Sequence, residues 1–173
     1  AAGFFCKKNM DAIDLFIGSE GTLGIFTKIK LSLLDYPQSI FSTVIFFNDE
    51  GDAFNFIRDS REESYLSRNK ETEDTIDAIS LEYFDKNSLD FLKKEYFHIP
   101  TNAKAAVWFE QETTPDNEEL IIERCAEIIG KHKGNIKDSW IAITEKDRAK
   151  IENFRHSISA KVNEYISLNK FRK

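Results

Sequence analysis

The sequence predicts an α+β fold in which helices cover one face of a β-sheet. Strand-like and helix-like patterns alternate from residue 39 to residue 168. Of the 173 residues, 41% are hydrophobic and 31% are charged, a balance typical of a soluble globular protein. The alternation by itself also fits an α/β sheet. The length allows one ordinary domain, or one domain and a fragment of a second.

The first predicted elements are a short helix, a glycine-rich loop and a strand. The helix is "DAIDLFI", residues 11–17, in which apolar residues follow Asp11 at helical spacing. The loop "IGSEGTLGIF" contains three of the chain's seven glycines. The stretch "GIFTKIKLSLL", residues 24–34, then alternates apolar and polar residues as a strand with one solvent-facing side does. Pro37 ends it, because proline cannot continue a central ladder.

Beyond Pro37 the sequence predicts four strands, each followed by a helix. The strands are "SIFSTVIFF", "AISLEYF", "AKAAVWFEQE" and "NIKDSWIAI". The helices cover residues 50–67, 87–97, 115–133 and 144–168, the second with Asn87 or Ser88 as its N-cap. This order predicts a ferredoxin-like antiparallel sheet of the split β-α-β type, and it makes 69–77 an exposed loop.

Apolar residues at regular spacing are predicted to form the core. The helical stripes are Phe54, Ile57 and Tyr65; Leu89, Leu92 and Tyr96; Ile121, Cys125, Ile128 and Ile129; and Ile151, Phe154, Ile158, Val162 and Ile166. The strand aromatics, which we expect to be packing residues, are Phe41, Phe46, Phe47, Phe84, Trp108, Phe109 and Trp140.

Charge and cysteine content exclude several classes of function. The net charge is −6 and the basic residues are scattered, so we expect no nucleic-acid partner. No apolar run approaches the roughly 20 residues of a membrane span. Cys6 and Cys125 lie far apart, which favours a buried Cys125 thiol in a reducing compartment over a disulfide. The three histidines lack ligand-like spacing, so no metal site is predicted, and His132 is expected as a cation at a helix C-terminus.

The glycine cluster of the loop has two interpretations. Glycine is used where the backbone takes a positive φ or approaches something closely, so the cluster predicts a turn pressed against a ligand or another segment. The alternative is a tight surface turn.

The segment "DLFIGSEGTLGIFTKIKLSLL" closely resembles the end of the flavin-binding domain in FAD-linked oxidases of the vanillyl-alcohol oxidase (para-cresol methylhydroxylase) superfamily. The likeness is to the branch with D-lactate dehydrogenase and the glycolate oxidase large subunit. "SLEYFDKNSLDFL", "AAVWFEQE" and "ENFRHSISAKVNE" resemble later parts of that family in the correct order. The resemblance implies that residues 1–35 end an FAD-binding domain and that residues 36–173 are part of the substrate (cap) domain of a longer enzyme.

The resemblance also implies an activity. Such an enzyme oxidises a 2-hydroxy acid, lactate-like or glycolate-like, to a 2-oxo acid with FAD, and it passes electrons to an acceptor. We expect it in the cytoplasm, in solution or at a membrane periphery, and we expect the isolated fragment to be inactive. The alternatives are an alkylglycerone-phosphate synthase-like or other FAD-linked oxidase reaction, and a non-catalytic ferredoxin-like module.

By this resemblance the loop would contact FAD. Its cofactor-binding residues would be Gly18, Ser19, Glu20, Gly21, Thr22, Gly24 and Ile25. A carboxylate beside a pyrophosphate is repelled, so we favour a structural role for Glu20, bound to loop amides or to an arginine, over a catalytic one.

Arg155 matches the position at which the family has an arginine for the substrate carboxylate, and a guanidinium fork suits a bidentate carboxylate. Ser159, four residues on, lies on the same helix face and would add a hydroxyl contact. The alternative is a surface arginine beside Glu152. His156 points about 100° round the helix from Arg155, so solvent exposure is favoured for it over proton abstraction. No catalytic base is assigned.

Overall fold

The computed structural model describes residues 7–70, 75–96 and 98–169, and the chain divides into two compact units, Ala1–Asp35 and Tyr36–Lys173. The sequence places a boundary at the same residue, and the identities given to the two parts stay predictions. Cys6 and residues 71–74 of the predicted exposed loop lie outside the described residues. The rest of that loop differs from the prediction, because residues 69–70 belong to a helix and Ile76 is buried.

The first unit contains one short helix, α1 (Ala12–Phe16), as predicted. The backbone N–H of Asp11 donates to the Asp14 carboxylate at 3.1 Å and so caps the first turn. The predicted strand at 24–34 is wrong, since this stretch pairs with no other described segment. An alternating pattern supplies the two faces of a strand, but a ladder also requires a neighbouring backbone to bond.

The second unit is built on a four-stranded sheet. Its strands are β1 (Ser39–Phe47), β2 (Ala78–Asp85), β3 (Ala105–Thr113) and β4 (Trp140–Ile141). The spatial order is β2-β3-β1-β4, and every neighbouring pair is antiparallel. The helices are α2 (Glu50–Lys70), α3 (Lys86–Leu92), α4 (Glu118–Lys131) and α5 (Glu145–Leu168). The predicted α+β, ferredoxin-like class is confirmed.

Two hydrophobic cores lie on opposite faces of the sheet, because successive strand residues point to opposite sides. On one face, Ile45 of β1 belongs to a core with Phe56 of α2 and Ile121 of α4. On the other face, Phe46 belongs to a core with α3 and with Phe154 of α5. The prediction that helices cover only one face of the sheet is wrong, because α2 and α4 cover one face and α3 and α5 cover the other.

The helical stripes agree with the prediction to different degrees. The α4 stripe is buried as predicted, and burial raises the pKa of the Cys125 thiol to about 12. In α5, Ile151 and Phe154 are buried, whereas Ile166 is exposed. The α2 stripe is wrong at Phe54 and Tyr65, which are exposed; the residues that α2 buries are Ala53, Phe56, Ser60, Ser64 and Ser67.

Two element ends also differ from the prediction. The N-cap of α3 is Asp85, whose carboxylate accepts the Ser88 N–H at 2.7 Å, and not Asn87 or Ser88. Strand β4 is shorter than the predicted "NIKDSWIAI", because only Trp140 and Ile141 pair with β1. None of the helices in the described ranges is long and apolar enough to cross a membrane.

Candidate functional site

The glycine loop of the first unit forms consecutive turns. The Ser19 N–H donates to the Phe16 carbonyl at 3.1 Å, and the Thr22 N–H donates to the Ser19 carbonyl at 2.9 Å. Gly18 and Gly21 have φ values of +76° and +78°, which L-residues rarely adopt. A Cβ built on either glycine would meet nothing within 4 Å. The glycines are therefore required by the turn itself, and the space beside their Cα atoms is open.

Three polar side chains of this loop have different surroundings. The Thr22 hydroxyl donates to the Ser19 carbonyl at 2.5 Å. The Ser19 hydroxyl is buried and has no partner among the described residues. Glu20 has a φ of +49°, and its carboxylate has no hydrogen bond or ion pair with a described residue. The loop amides and the arginine that we expected to bind Glu20 are thus not found in the described part of the chain.

The orphaned Ser19 hydroxyl and the open glycine backbone bear on the FAD prediction. A buried hydroxyl without a partner is costly, and a ligand oxygen beside it would remove that cost. Backbone free of Cβ contacts can approach a pyrophosphate or a flavin ring closely. These features fit an FAD contact, although Thr22 already uses its proton within the turn.

The first unit also exposes a large apolar surface. Its most exposed large apolar side chains are Ile13, Ile17, Ile25, Ile29, Leu31, Leu33 and Leu34. Ile25, at the end of the loop, is 94% exposed. Single exposed apolar residues are ordinary, but so many in about thirty residues are typical of a surface that another body covers.

In the second unit, Arg155 lies on α5 beside the inward Phe154. Its Nε lies 2.8 Å from both carboxylate oxygens of Glu82 on β2, and its Nη2 lies 2.7 Å from Oε1. The guanidinium also lies 5.2 Å from the centroid of the Trp108 ring. Hydrogen bonding to Glu82 raises the pKa of Arg155. The guanidinium therefore has specific partners on the sheet, while its side chain is also 36% exposed and Glu152 acts on it electrostatically, as the surface alternative describes.

Trp108 is itself anchored to the sheet. Its indole N–H donates to the Ser42 hydroxyl at 3.1 Å, and the side chain is buried. Trp108 of β3 is the register partner of Glu82 of β2, so the two residues that contact Arg155 stand side by side on the sheet. The ring and the carboxylate together hold the guanidinium against the sheet.

A cleft of about 310 Å³ adjoins Trp108. Its lining includes Glu110 of β3 and Arg148 and Glu152 of α5. Burial raises the pKa of Glu110, and a hydrogen bond with the Ser42 hydroxyl opposes this effect. The cleft thus places the half-buried carboxyl group of Glu110 and a second arginine, Arg148, beside Trp108, the ring that contacts Arg155.

The other predicted residues near Arg155 are less engaged. Ser159 is exposed, and its hydroxyl has no hydrogen bond with any described residue. The Nε2 atom of His156 lies 3.3 Å from Arg155 Nη1 and 3.9 Å from a Glu152 oxygen, and its side chain is 60% exposed. The exposure favoured for His156 is observed. The structure thus brings together Arg155 and His156 but does not tie Ser159 to them.

Sequence reasoning missed Glu82 and the support that Trp108 gives to Arg155. A signal was present, because Glu82 alternates with Phe84 on the β2 face that α5 covers. A charged residue on a face that packs against a helix indicates a basic partner there.

A second charged cluster links α2 to α4. Asp59 Oδ2 accepts from Lys131 at 2.6 Å and lies 2.8 Å from His132 Nε2. Hydrogen bonds from Lys131 and then His132 lower the pKa of Asp59 to about 2. His132, expected as a cation at the end of a helix, is largely buried. Among the described residues no group of three or more side chains has the arrangement of a metal site.

Comparison with protein-family models gives no match for this chain, and comparison with curated proteins gives no significant match. The family resemblance rests on the sequence segments quoted above.

Proposed function

We propose that this chain is part of an FAD-dependent oxidoreductase that oxidises a 2-hydroxy acid to a 2-oxo acid. The segment from Gly18 to Ile25 carries the proposal. Its sequence resembles the end of a flavin-binding domain, its glycine backbone is open, and its Ser19 hydroxyl is buried without a partner among the described residues. The exposed apolar side chains around it suit a unit that packs within a larger flavin domain.

In this proposal the loop holds the cofactor. The backbone N–H groups of the loop that do not bond within its turns, which excludes those of Ser19 and Thr22, and the Ser19 hydroxyl would donate to FAD oxygens. The chemistry that FAD would supply here is acceptance of a hydride equivalent from the carbon that bears the substrate hydroxyl. Glu20 has a structural role, because a carboxylate is unsuited to direct contact with a pyrophosphate.

Arg155 would bind the substrate carboxylate. Its guanidinium presents donors in a fixed fork, and the guanidinium carbon lies 5.2 Å from the centroid of the Trp108 ring. Ser159, one turn along α5, would add a hydroxyl contact. Fixing one end of a small substrate orients its hydroxyl-bearing carbon, which is a large part of what an enzyme supplies to hydride transfer.

Reoxidation of the flavin requires an electron acceptor, which we place among the partners. We place the enzyme in the cytoplasm, in solution or at a membrane surface. An alkylglycerone-phosphate synthase-like reaction is the alternative for the same flavin loop.

A second candidate function is a non-catalytic ferredoxin-like module. The observation that favours it is the two-sided packing of the second unit, in which both faces of the sheet have a hydrophobic core of their own. Such a unit resembles a self-supporting domain, and its function would lie in binding a partner.

Flavin retention separates these candidates. In the full-length protein, Gly21→Val should abolish flavin retention, because a branched side chain is strained at φ +78° and fills the open space beside the backbone. Gly130→Ala is the matched control, since that glycine lies in α4 with nothing within 4 Å of a built Cβ. We expect a colourless, folded Gly21→Val protein and a yellow Gly130→Ala protein. Normal flavin stoichiometry in Gly21→Val would mean that the loop is only a surface turn and does not contact FAD. A wild-type full-length protein without flavin would favour the non-catalytic ferredoxin-like module.

A further inference from the structure

The guanidinium of Arg155 is already bound to a carboxylate of its own chain. Three contacts of 2.7–2.8 Å join it to Glu82, and Nε and Nη2 both take part. Glu82 lies 73 residues away in sequence, on β2, so the contact is a feature of the folded unit. This is the bidentate geometry that an external carboxylate would adopt on the same fork.

Two observations make the pair exchangeable. The side chains of Arg155 and Glu82 are 36% and 37% exposed, so both groups are in contact with water and the pair is weak. Trp108 supports the guanidinium independently of Glu82 and is itself anchored to Ser42. Arg155 therefore still has a partner on the sheet when its contact with Glu82 is broken.

The surrounding charges argue against a substrate that binds in addition to Glu82. Glu110 and Glu152 both act on Arg155 electrostatically, so together with Glu82 three carboxylates lie near two arginines, Arg155 and Arg148. A further anion beside three carboxylates would be repelled. Exchange of one carboxylate for another keeps constant the number of carboxylates in contact with the guanidinium, while the displaced Glu82 carboxylate moves into water.

We propose that Glu82 is an internal competitor for the substrate carboxylate: it occupies Arg155 in the absence of substrate and is displaced when a 2-hydroxy acid binds. This inference rests on the proposed role of Arg155 in binding the substrate. It makes Glu82 the residue that sets the substrate concentration at which the site fills.

The test is a titration of the purified chain with D-lactate, followed by the NMR signal of the Arg155 Nε–H group, which Arg155→Lys identifies by its loss. Glu82→Gln should bind D-lactate about two- to fivefold more tightly than wild type, the factor that corresponds to an exposed ion pair. Lactamide, which lacks the carboxylate, should shift the signal in neither protein.

Glu63→Gln is the matched control, because Glu63 forms a similar two-contact pair with Arg124, at 2.8 and 3.0 Å, elsewhere in the unit. It should leave the affinity at Arg155 unchanged. Glu82→Asp, which keeps the charge on a shorter side chain, should give an affinity between those of wild type and Glu82→Gln. An amide fingerprint spectrum of each variant shows that the fold is kept.

Three results would overturn the inference: equal D-lactate affinity in wild type and Glu82→Gln, the same gain in Glu63→Gln, or no binding by either wild type or Glu82→Gln. The readout does not involve flavin. Tighter D-lactate binding by Glu82→Gln, together with a full-length protein that retains no flavin, would support Glu82 as the competitor and would refute the proposed oxidoreductase activity. A flavin-containing, active full-length enzyme, together with unchanged D-lactate affinity in Glu82→Gln, would support the oxidoreductase and refute the role of Glu82 as competitor.

Discussion

The carboxylate of Asp59 joins two helices, α2 and α4, which cover the same face of the sheet. It lies on α2 and accepts from Lys131 and His132 at the end of α4. Its pKa, lowered to about 2 in the folded state, is below the ordinary value of 3.8. A carboxylate with a depressed folded-state pKa adds stability above its unfolded pKa, and that stability is lost as the pH falls through the folded pKa.

We therefore predict that Asp59→Asn lowers the free energy of unfolding by about 1–2 kcal/mol at pH 7. The difference from wild type should shrink as the pH falls from about 4 to about 2, the interval between the two pKa values. Urea denaturation at several pH values measures both. A difference that is constant over this interval would mean that Asp59 acts through packing and not through its charge.

Two buried serines of α2 have opposite surroundings. The Ser64 hydroxyl donates to the Ser60 carbonyl at 2.7 Å and accepts the Ala78 N–H of β2 at 3.0 Å. The Ser60 hydroxyl is buried and has no partner among the described residues. The same substitution at the two positions should therefore have opposite effects.

Ser64→Ala should lower the free energy of unfolding by about 1–2 kcal/mol, because it leaves the Ala78 N–H without its acceptor. Ser60→Ala should raise it by about 0.5–1 kcal/mol, because it removes an unpaired buried hydroxyl and alanine favours the helix. Thermal or urea unfolding of the two variants decides between these signs. Destabilisation by Ser60→Ala would show that the Ser60 hydroxyl is hydrogen-bonded in solution.

At the scale of elements, Phe154 attaches α5 to the sheet. Its ring centroid lies 5.1 Å from that of Phe84 on β2 and 5.0 Å from that of Trp140 on β4, and the side chain is fully buried. Phe154→Ala should cost about 3–5 kcal/mol of unfolding free energy. Ile166→Ala on the same helix should cost less than about 1 kcal/mol, because Ile166 is exposed. Similar losses in both variants, measured by urea unfolding, would contradict this account of how α5 is held.

The elements that sequence reasoning found are those with a strong local pattern. Strand β1 matches its predicted span because β-branched and aromatic residues fill it and both of its faces are buried. The α4 stripe was found because its apolar residues recur every three or four positions. In these cases the local pattern and the tertiary environment agree.

The features that sequence reasoning missed depend on partners that are distant in the sequence. In α2 the rings of Phe54 and Tyr65 lie outside the core, because Phe56 and several small residues of the helix face inward. Phe54 stacks on Tyr83 instead, with the ring centroids 4.8 Å apart. The predicted strand at 24–34 has no neighbouring strand to bond among the described residues. The Glu82–Arg155 pair joins residues 73 positions apart, which no local period reveals.

At the scale of the whole molecule, the two units differ in how completely they bury their apolar residues. The second unit has a core on each face of its sheet. The first unit leaves most of its large apolar side chains exposed, and its glycine loop is open to a ligand or a neighbour. This contrast supports the proposal that the first unit belongs to a larger flavin-binding body.

The most direct test of the proposed activity is the rate at which a 2-hydroxy acid reduces the flavin of the full-length protein, in wild type and in Arg155→Lys. Lysine keeps the charge but loses the bidentate fork, and a charge-assisted hydrogen bond is worth about 1.5–3 kcal/mol, so we predict a fall of about ten- to a hundredfold in catalytic efficiency. Flavin content should not change, an alcohol analogue without the carboxylate should be affected much less, and Arg124→Lys should match wild type. Equal losses on acid and alcohol, or no flavin reduction by any 2-hydroxy acid in wild type, would contradict the proposal.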